Sequence, residues 1–187
     1  MITNTGVWLI NGTQFENHHC YDSSLSNALC LFAKGLGVKK LYDFGCGSGK
    51  YVSAFQSIGI NATGIDGNPI TSTIPNCRVQ DLTSEFQMEP VDFLLCLEVG
   101  EHIPKEFEST LLQRIDSHVN PSGILVLSWA VEGQPGFGHV NCQNNDYVIR
   151  VMKELGYSFM DIESTMLRNA STDAWWFKNT ILVFKKK

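Results

Sequence analysis

The stretch Val38-Lys39-Lys40-Leu41-Tyr42-Asp43-Phe44-Gly45-Cys46-Gly47-Ser48-Gly49-Lys50-Tyr51 leaves the chain few folds to choose from. Leu41 and Phe44 lend apolar strand character to the segment before the glycines. Gly45, Gly47 and Gly49 then occupy every second position. Glycine tolerates positive φ and lets a ligand approach the backbone, and Ser48 is suited to cap a following helix. A strand, a glycine turn and a helix N-terminus together make a cradle for a nucleotide or a related cofactor. A phosphate-binding loop requires G-x-x-x-x-G-K-[ST]. Gly49-Lys50 matches its end, but Phe44 stands at the first glycine and Tyr51 replaces the magnesium-binding hydroxyl. The dinucleotide pattern G-x-G-x-x-G is also missed, because the third glycine comes one residue early and position 50 is lysine. The plain alternative is a glycine turn joining strand to helix.

Around this stretch the chain alternates between the two periodicities. Asp22 or Ser23 opens a helix to about Lys34, with Leu25, Ala28, Leu29 and Phe32 on one face. After the glycine turn, Val52, Phe55 and Ile58 mark a helix and 61–66 a second strand ending in Asp66. Residues 77–80 read as a short third strand closed by Asp81. The nearly continuous apolar run 91–97 is that of a strand covered on both faces. Pro104 suits a helix start, with Phe107, Leu111, Leu112 and Ile115 as its buried stripe. Residues 121–123 read as a turn into a fifth strand at 124–130, followed by a glycine-rich loop at 132–141 and a helix through Val148, Val151, Met152 and Leu155. Residues 157–165 read as a sixth strand, and a polar loop with Trp175-Trp176 leads to a last strand at 180–184. Alternating βαβ units demand a parallel sheet with right-handed crossovers. Two final strands joined without a helix pair antiparallel if adjacent. The expected fold is α/β: a Rossmann-like three-layer sandwich with a seven-stranded, mostly parallel sheet and an antiparallel last strand.

The 187 residues suit one domain, here divided into an N-terminal lid and helix over 1–37 and a core over 38–187. A net charge of −5 announces no basic face, which speaks against nucleic acid. None of the six cysteines forms a C-x-x-C pair, so a reduced, cytoplasmic chain is expected rather than a disulfide framework. Neither a signal peptide nor a membrane span is visible. His18-His19-Cys20 is a weak metal cluster, since neighbours on an extended segment point opposite ways, and no metal is expected. Glu98, Glu101 and His102 are an alternative Mg²⁺ set beside an acceptor with adjacent hydroxyls.

The pattern Asp43-x-Gly45-x-Gly47-x-Gly49 resembles motif I of the class I S-adenosylmethionine-dependent methyltransferases. Glu98-Val99-Gly100-Glu101-His102-Ile103-Pro104 resembles the E-V-x-E-H-[IV]-P segment of small-molecule O-methyltransferases, the ubiquinone-biosynthesis type among them. It departs in having Gly100 where a larger apolar residue is common. The resemblance covers roughly residues 20–187 and implies S-adenosylmethionine as cofactor, with S-adenosylhomocysteine as product. Asp66 lies 21 positions after Gly45, where an acid accepts hydrogen bonds from ribose hydroxyls. The competing reading is a solvated turn Asp beside Gly67. The resemblance assigns Asp81 to the adenine amine and Leu82 to the ring edge, with a turn Asp as rival. The resemblance assigns Gly45 and Gly47 to backbone approach at the methionine and ribose part and Asp43 to holding the loop, and Cys46, Gly49, Gly67, Leu97 and Glu98 complete the expected cofactor set.

The expected function is methyl transfer to a small-molecule acceptor, most simply through oxygen, by a monomer or homodimer. The alternative is a non-catalytic cofactor-binding scaffold of the same fold. His139 and His102 are the candidate bases, since imidazole titrates near neutrality. Their competing readings are a surface loop histidine and a packing or capping residue. No Asn-Pro-Pro-Tyr-type segment follows the fourth strand, which favours a small acceptor over a macromolecule.

Overall fold

A computed structural model describes residues 1–12, 14, 15 and 19–187 of the chain. Its centre is a sheet of β1 (Lys40–Phe44), β2 (Asn61–Asp66), β3 (Cys77–Val79), β4 (Val91–Cys96), β5 (Val119–Ser128), β6 (Tyr157–Phe159) and β7 (Ile181–Lys186). The helices are α1 (Ser23–Gly35), α2 (Lys50–Ser57), α3 (Glu108–Ser117), α4 (Asn145–Glu154), α5 (Asp161–Ala170) and the short α6 (Phe177–Thr180). The order across the sheet is β3-β2-β1-β4-β5-β7-β6. The first five strands pair parallel, and β7 runs antiparallel to both β5 and β6. This is the expected α/β architecture.

Alternation along the strands divides the core into two layers. Leu41, Phe93, Leu95 and Val126 pack with Leu25 and Leu29 of α1, Phe55 of α2 and Leu167 of α5. Tyr42, Leu94, Cys96 and Leu125 face the other way, onto Leu111 and Ile115 of α3 and Met152 of α4. Successive side chains of a strand point to opposite faces, so one apolar run serves both layers. The strand order reverses between β1 and β4, which pair through Leu41↔Phe93 and Asp43↔Leu95. A crevice opens at the carboxyl ends of strands at such a switch point.

Three expectations change. The sixth strand stops at Phe159, and Asp161–Ala170 is helical. The buried side chains of α5 are Ser164 and Leu167, while Ile162 and Met166 face solvent. Its apolar residues therefore do not mark its buried face, and the serine occupies a core position. Ser164 Oγ donates to the Met160 carbonyl at 2.6 Å and accepts the Val183 N–H at 2.8 Å. The last strand is consequently preceded by helices rather than by an open loop. β5 already starts at Val119, and the residues expected as a turn at 121–123 interrupt it: five positions separate Val119 from Ile124 where two separate their partners Val91 and Phe93. Ser122, following Pro121, takes a positive φ of 65° there, as the third residue of a type II turn does.

Candidate active site

A cleft of about 340 Å³ opens at the carboxyl edge of β1, β2, β4 and β5, within the usual size of small-molecule sites. Asp43, Gly45, Cys46, Gly47, Asp66, Gly67, Asp81, Leu82, Leu97, Glu98, His102 and His139 all line it. Gly49 does not. It sits at the start of α2 with φ 70°, and a Cβ there would meet Ile74 and Cys77 beneath the loop. His18 lies outside the described residues.

The glycine turn is built for close approach. Gly45 has φ 78° and Gly47 φ 47°, conformations that side chains disfavour. A Cβ on Gly45 would strike Val99 at 2.1 Å, and one on Gly47 the His19 ring at 2.2 Å. The Gly45 N–H donates to the Ile65 carbonyl at 2.7 Å, tying the loop to β2. Asp66 anchors it from the side: Oδ2 accepts the Gly47 N–H at 3.0 Å and Oδ1 the Asn68 N–H at 2.8 Å. A carboxylate offers about four lone pairs, so capacity remains toward the cleft.

Asp43 lies below the turn, 3% exposed, and its Oδ2 has no hydrogen-bond partner among the described residues. Burial, then Cys77 and the charge of Asp66, raise its carboxyl well above the ordinary range. A cation brought beside it would relieve this. Asp81 is already engaged: Oδ2 accepts from Thr5 Oγ1 at 2.8 Å, and Oδ1 from the N–H and hydroxyl of Thr83 at 2.8 and 2.7 Å.

Glu98, His102 and His139 line the cleft, and Glu101, next to His102 in the chain, is buried outside its lining. Glu98 has φ 56°, and strained backbone of this kind clusters at functional sites. Its Oε1 accepts from Ser128 Oγ at 2.8 Å and its Oε2 from Gln134 Nε2 at 3.3 Å. Glu101 is 0% exposed, and its carboxyl lies against that of Glu98. Burial and then the charge of Glu98 raise it well above the ordinary range. Burial lowers His102 to about 4, against the pull of the Gly138 carbonyl. His102 is therefore neutral near pH 7. One ligand atom from each of Glu101, His102 and His139 lies within 4.8 Å of the others.

His139 comes from the long loop after β5, and the backbone places it. Val140 and Asn141 N–H both donate to the Glu101 carbonyl, at 2.8 and 3.0 Å. Trp129 Nε1 donates to the Asn141 carbonyl at 2.6 Å. The His102 and His139 rings stand edge to face with centroids 5.1 Å apart. Gln134, Trp8 and His19 also line the cleft, and no motif marked Gln134 or His19 for it.

A family described as "Methyltransferase domain" matches residues 18–160. The ubiquinone biosynthesis O-methyltransferase of Haemophilus ducreyi is 29% identical over 138 residues, which is 65% of this chain and 57% of that protein. The chain thus spans a little over half the length of this curated relative. Among solved structures, magnesium protoporphyrin IX methyltransferase from Synechocystis with bound S-adenosylhomocysteine aligns with a TM-score of 0.65 at 18% identity, covering 87% of this chain and 82% of that one. The sugar N-methyltransferase KedS8 of Streptoalloteichus aligns with a TM-score of 0.71 at 11% identity, covering 95% and 96%.

Proposed function

The chain belongs to the class I S-adenosylmethionine-dependent methyltransferase family, and we propose that it transfers the methyl group of S-adenosylmethionine to a small-molecule acceptor through an oxygen atom. The observation that carries this reading is the gathering of Asp43, the glycine turn, Asp66, Glu98 and His102 around one cleft at the sheet's switch point.

The residues present fit the cofactor. Gly45 and Gly47 leave backbone room that a Cβ would fill, for the methionine and ribose part. Asp66 keeps lone pairs for a ribose diol, because a carboxylate only accepts. Asp43, buried and short of a partner, suits the cofactor's ammonium. Leu82 and Leu97 give apolar walls. Asp81 reaches an adenine amine if Thr5, now on its Oδ2, shares that oxygen.

S-adenosylmethionine supplies an activated methyl on a sulfonium, so the hard chemistry is the cofactor's. The chain's task is alignment of acceptor, methyl and sulfur in a line, and removal of the acceptor proton where there is one. With the cofactor bound, the acceptor oxygen would supply the electrons of the new C–O bond, the C–S pair would return to sulfur, and the acceptor proton would leave through an imidazole or to water. His102 and His139 stand at the acceptor end. In each, Nδ1 lies against a backbone carbonyl, Gly138 at 3.2 Å and Gln134 at 3.1 Å. A carbonyl only accepts, so Nδ1 carries a proton in each ring, and His102, neutral near pH 7, keeps the lone pair of Nε2. Oxygen is the element named for the curated relative, while KedS8 acts on nitrogen.

Calorimetry with S-adenosylhomocysteine and turnover on a panel of phenols, catechols and amines tests the proposal. Saturable binding and methylation of a hydroxyl are expected. No binding of the cofactor product refutes the reading, and binding without turnover on any acceptor points to the scaffold alternative. Methylation confined to amines overturns the oxygen assignment alone.

A further inference from the structure

We propose that Cys46 and Cys77 form an oxidisable dithiol beneath the glycine turn, closed to a disulfide by a peroxide and reopened by a thiol reductant, and that closure weakens cofactor binding. The bond itself needs only the two cysteines; its effect on cofactor affinity rests on the methyl-transfer reading.

The two cysteines are 31 positions apart and belong to parts of the sheet that do not pair, because β2 runs between β1 and β3. Gly64 lets them meet. It is the β2 partner of Asp43 on one side and of Cys77 on the other, and Cys46 follows the end of β1 by two positions. A Cβ on Gly64 would lie 2.6 Å from Cys46 Sγ and 2.7 Å from Cys77 Sγ. Both sulfurs thus converge on the space that any other residue at 64 would fill. Both are free thiols. Cys77 is half-buried at the start of β3 and Cys46 lines the cleft, so a small peroxide has access to the pair.

The surroundings divide the pair into a nucleophile and a resolving thiol. The neighbouring Cys46 thiol holds Cys77 below the ordinary thiol range, against burial, while the same contact and burial push Cys46 far above it. The thiolate is the reactive form. Cys77 sulfur attacks one peroxide oxygen, the O–O bond breaks, and the other oxygen leaves as water, which makes a sulfenic acid. Cys46 sulfur then attacks Cys77 sulfur. The S–S bond forms, the S–O bond breaks, and the departing oxygen takes the remaining proton to become a second water. The two thiols lose two electrons and two protons, and the peroxide takes up both.

The place of the pair gives the bond its consequence. Cys46 stands between Gly45 and Gly47, the backbone proposed for the methionine and ribose part, and its N–H donates to the Ile65 carbonyl at 3.2 Å. Cys77 Sγ lies 3.1 Å from where a Cβ on Gly49 would be, at the start of α2. A disulfide brings its sulfurs to about 2.05 Å. Closure therefore draws Cys46 toward β3 and shifts the turn that the cofactor would lie on.

The test uses the whole chain, reduced with dithiothreitol, freed of reductant and treated with hydrogen peroxide. Trypsin cuts after Lys40, Lys50 and Arg78, so peptides 41–50 and 51–78 each carry one of the two cysteines and no other. Mass spectrometry should find these peptides joined after peroxide and separate after dithiothreitol. Calorimetry should show S-adenosylhomocysteine bound at least fivefold more weakly by the oxidised chain, with affinity restored on reduction. Cys77→Ser should bind this ligand within about threefold of the reduced parent and lose the peroxide effect. Circular dichroism checks folding, and Cys77→Ala serves if the serine variant does not fold. The proposal is overturned if the two peptides stay unlinked, if the linked chain binds the ligand as tightly as the reduced one, or if peroxide weakens Cys77→Ser as much as the parent. Joined peptides in a chain that binds no S-adenosylhomocysteine even when reduced would refute the methyl-transfer reading and leave the dithiol standing.

Discussion

Asp43 and Asp22 are both buried acids, and their surroundings push them in opposite directions. Asp43 has an oxygen without a partner, and burial raises its carboxyl. Asp43→Asn should fold, because it removes an ionisable group whose charged form its buried surroundings disfavour. On the proposed assignment of Asp43 to the cofactor's ammonium, it should still weaken S-adenosylhomocysteine at least tenfold in calorimetry. Unchanged affinity would show that Asp43 only shapes the loop. Asp22 caps α1 through the Leu25 N–H at 2.9 Å. Its other oxygen gathers the Ser171 hydroxyl and the N–H groups of Thr172, Asp173 and Ala174. Burial pushes this carboxyl up, but the hydrogen bonds outweigh it and hold it below the ordinary range. A folded-state pKa below the unfolded one contributes stability above the unfolded value and loses it as pH falls through the folded value. Denaturant melts between pH 7 and pH 3 should therefore show a steeper acid loss in the parent than in Asp22→Asn. At pH 7 the variant should be about 1–3 kcal/mol less stable. The sequence marked Asp22 as a helix cap, and its second oxygen was invisible there because its partners lie about 150 positions away. Gly100 is a similar case. A Cβ there would overlap the Trp129 indole at 2.3–2.4 Å, so the departure from the common motif is matched by a tryptophan 29 positions on.

At the level of elements, the strands that carry the site were legible because each is a short apolar run with an acid at its carboxyl end. Asp66 closes β2, and Glu98 follows β4. The stretch 157–165 was misread because a short strand and a helix with a polar core residue share it without a turn signal between them. The loop after β5 was legible as glycine-rich and near the site, but its path is set by contacts that no local pattern encodes. Asn141 is the joint. Its carbonyl receives Trp129 Nε1, and its side chain donates to Glu108 Oε2 at 2.9 Å. Glu108 is fixed in turn by Lys105 Nζ at 2.8 Å and by the Tyr147 hydroxyl. A buried hydrogen bond to a charged group contributes about 1.5–3 kcal/mol. Asn141→Ala should accordingly lose stability of that order in urea melts. It should also lower kcat more than it weakens cofactor binding, because the residue two positions from His139 has lost its anchor. A variant with parental kcat and lowered stability would confine Asn141 to packing.

Across the whole molecule, the first residues run over the cleft that the sheet opens. Thr5 reaches Asp81, the Gly6 backbone lies against the His102 carbonyl, and Val7 packs on Gly67. Trp8 stands edge-on to His102, with centroids 4.7 Å apart. A ligand held between this segment, β1, β2 and β4 touches parts of the chain that separate on unfolding. Such a ligand binds only the native state and stabilises it by RT ln(1 + [L]/Kd), about 2.7 kcal/mol at one hundred times Kd. For a domain of this size 1 kcal/mol corresponds to roughly 2–4 °C. S-adenosylhomocysteine at that concentration should therefore raise Tm by about 5–11 °C in a thermal shift assay. The shift should grow with the logarithm of ligand concentration and shrink strongly in Asp43→Asn at the same concentration. A shift equal in parent and variant would place the ligand elsewhere, since mass action at this cleft ties the rise in Tm to the affinity that Asp43 helps set.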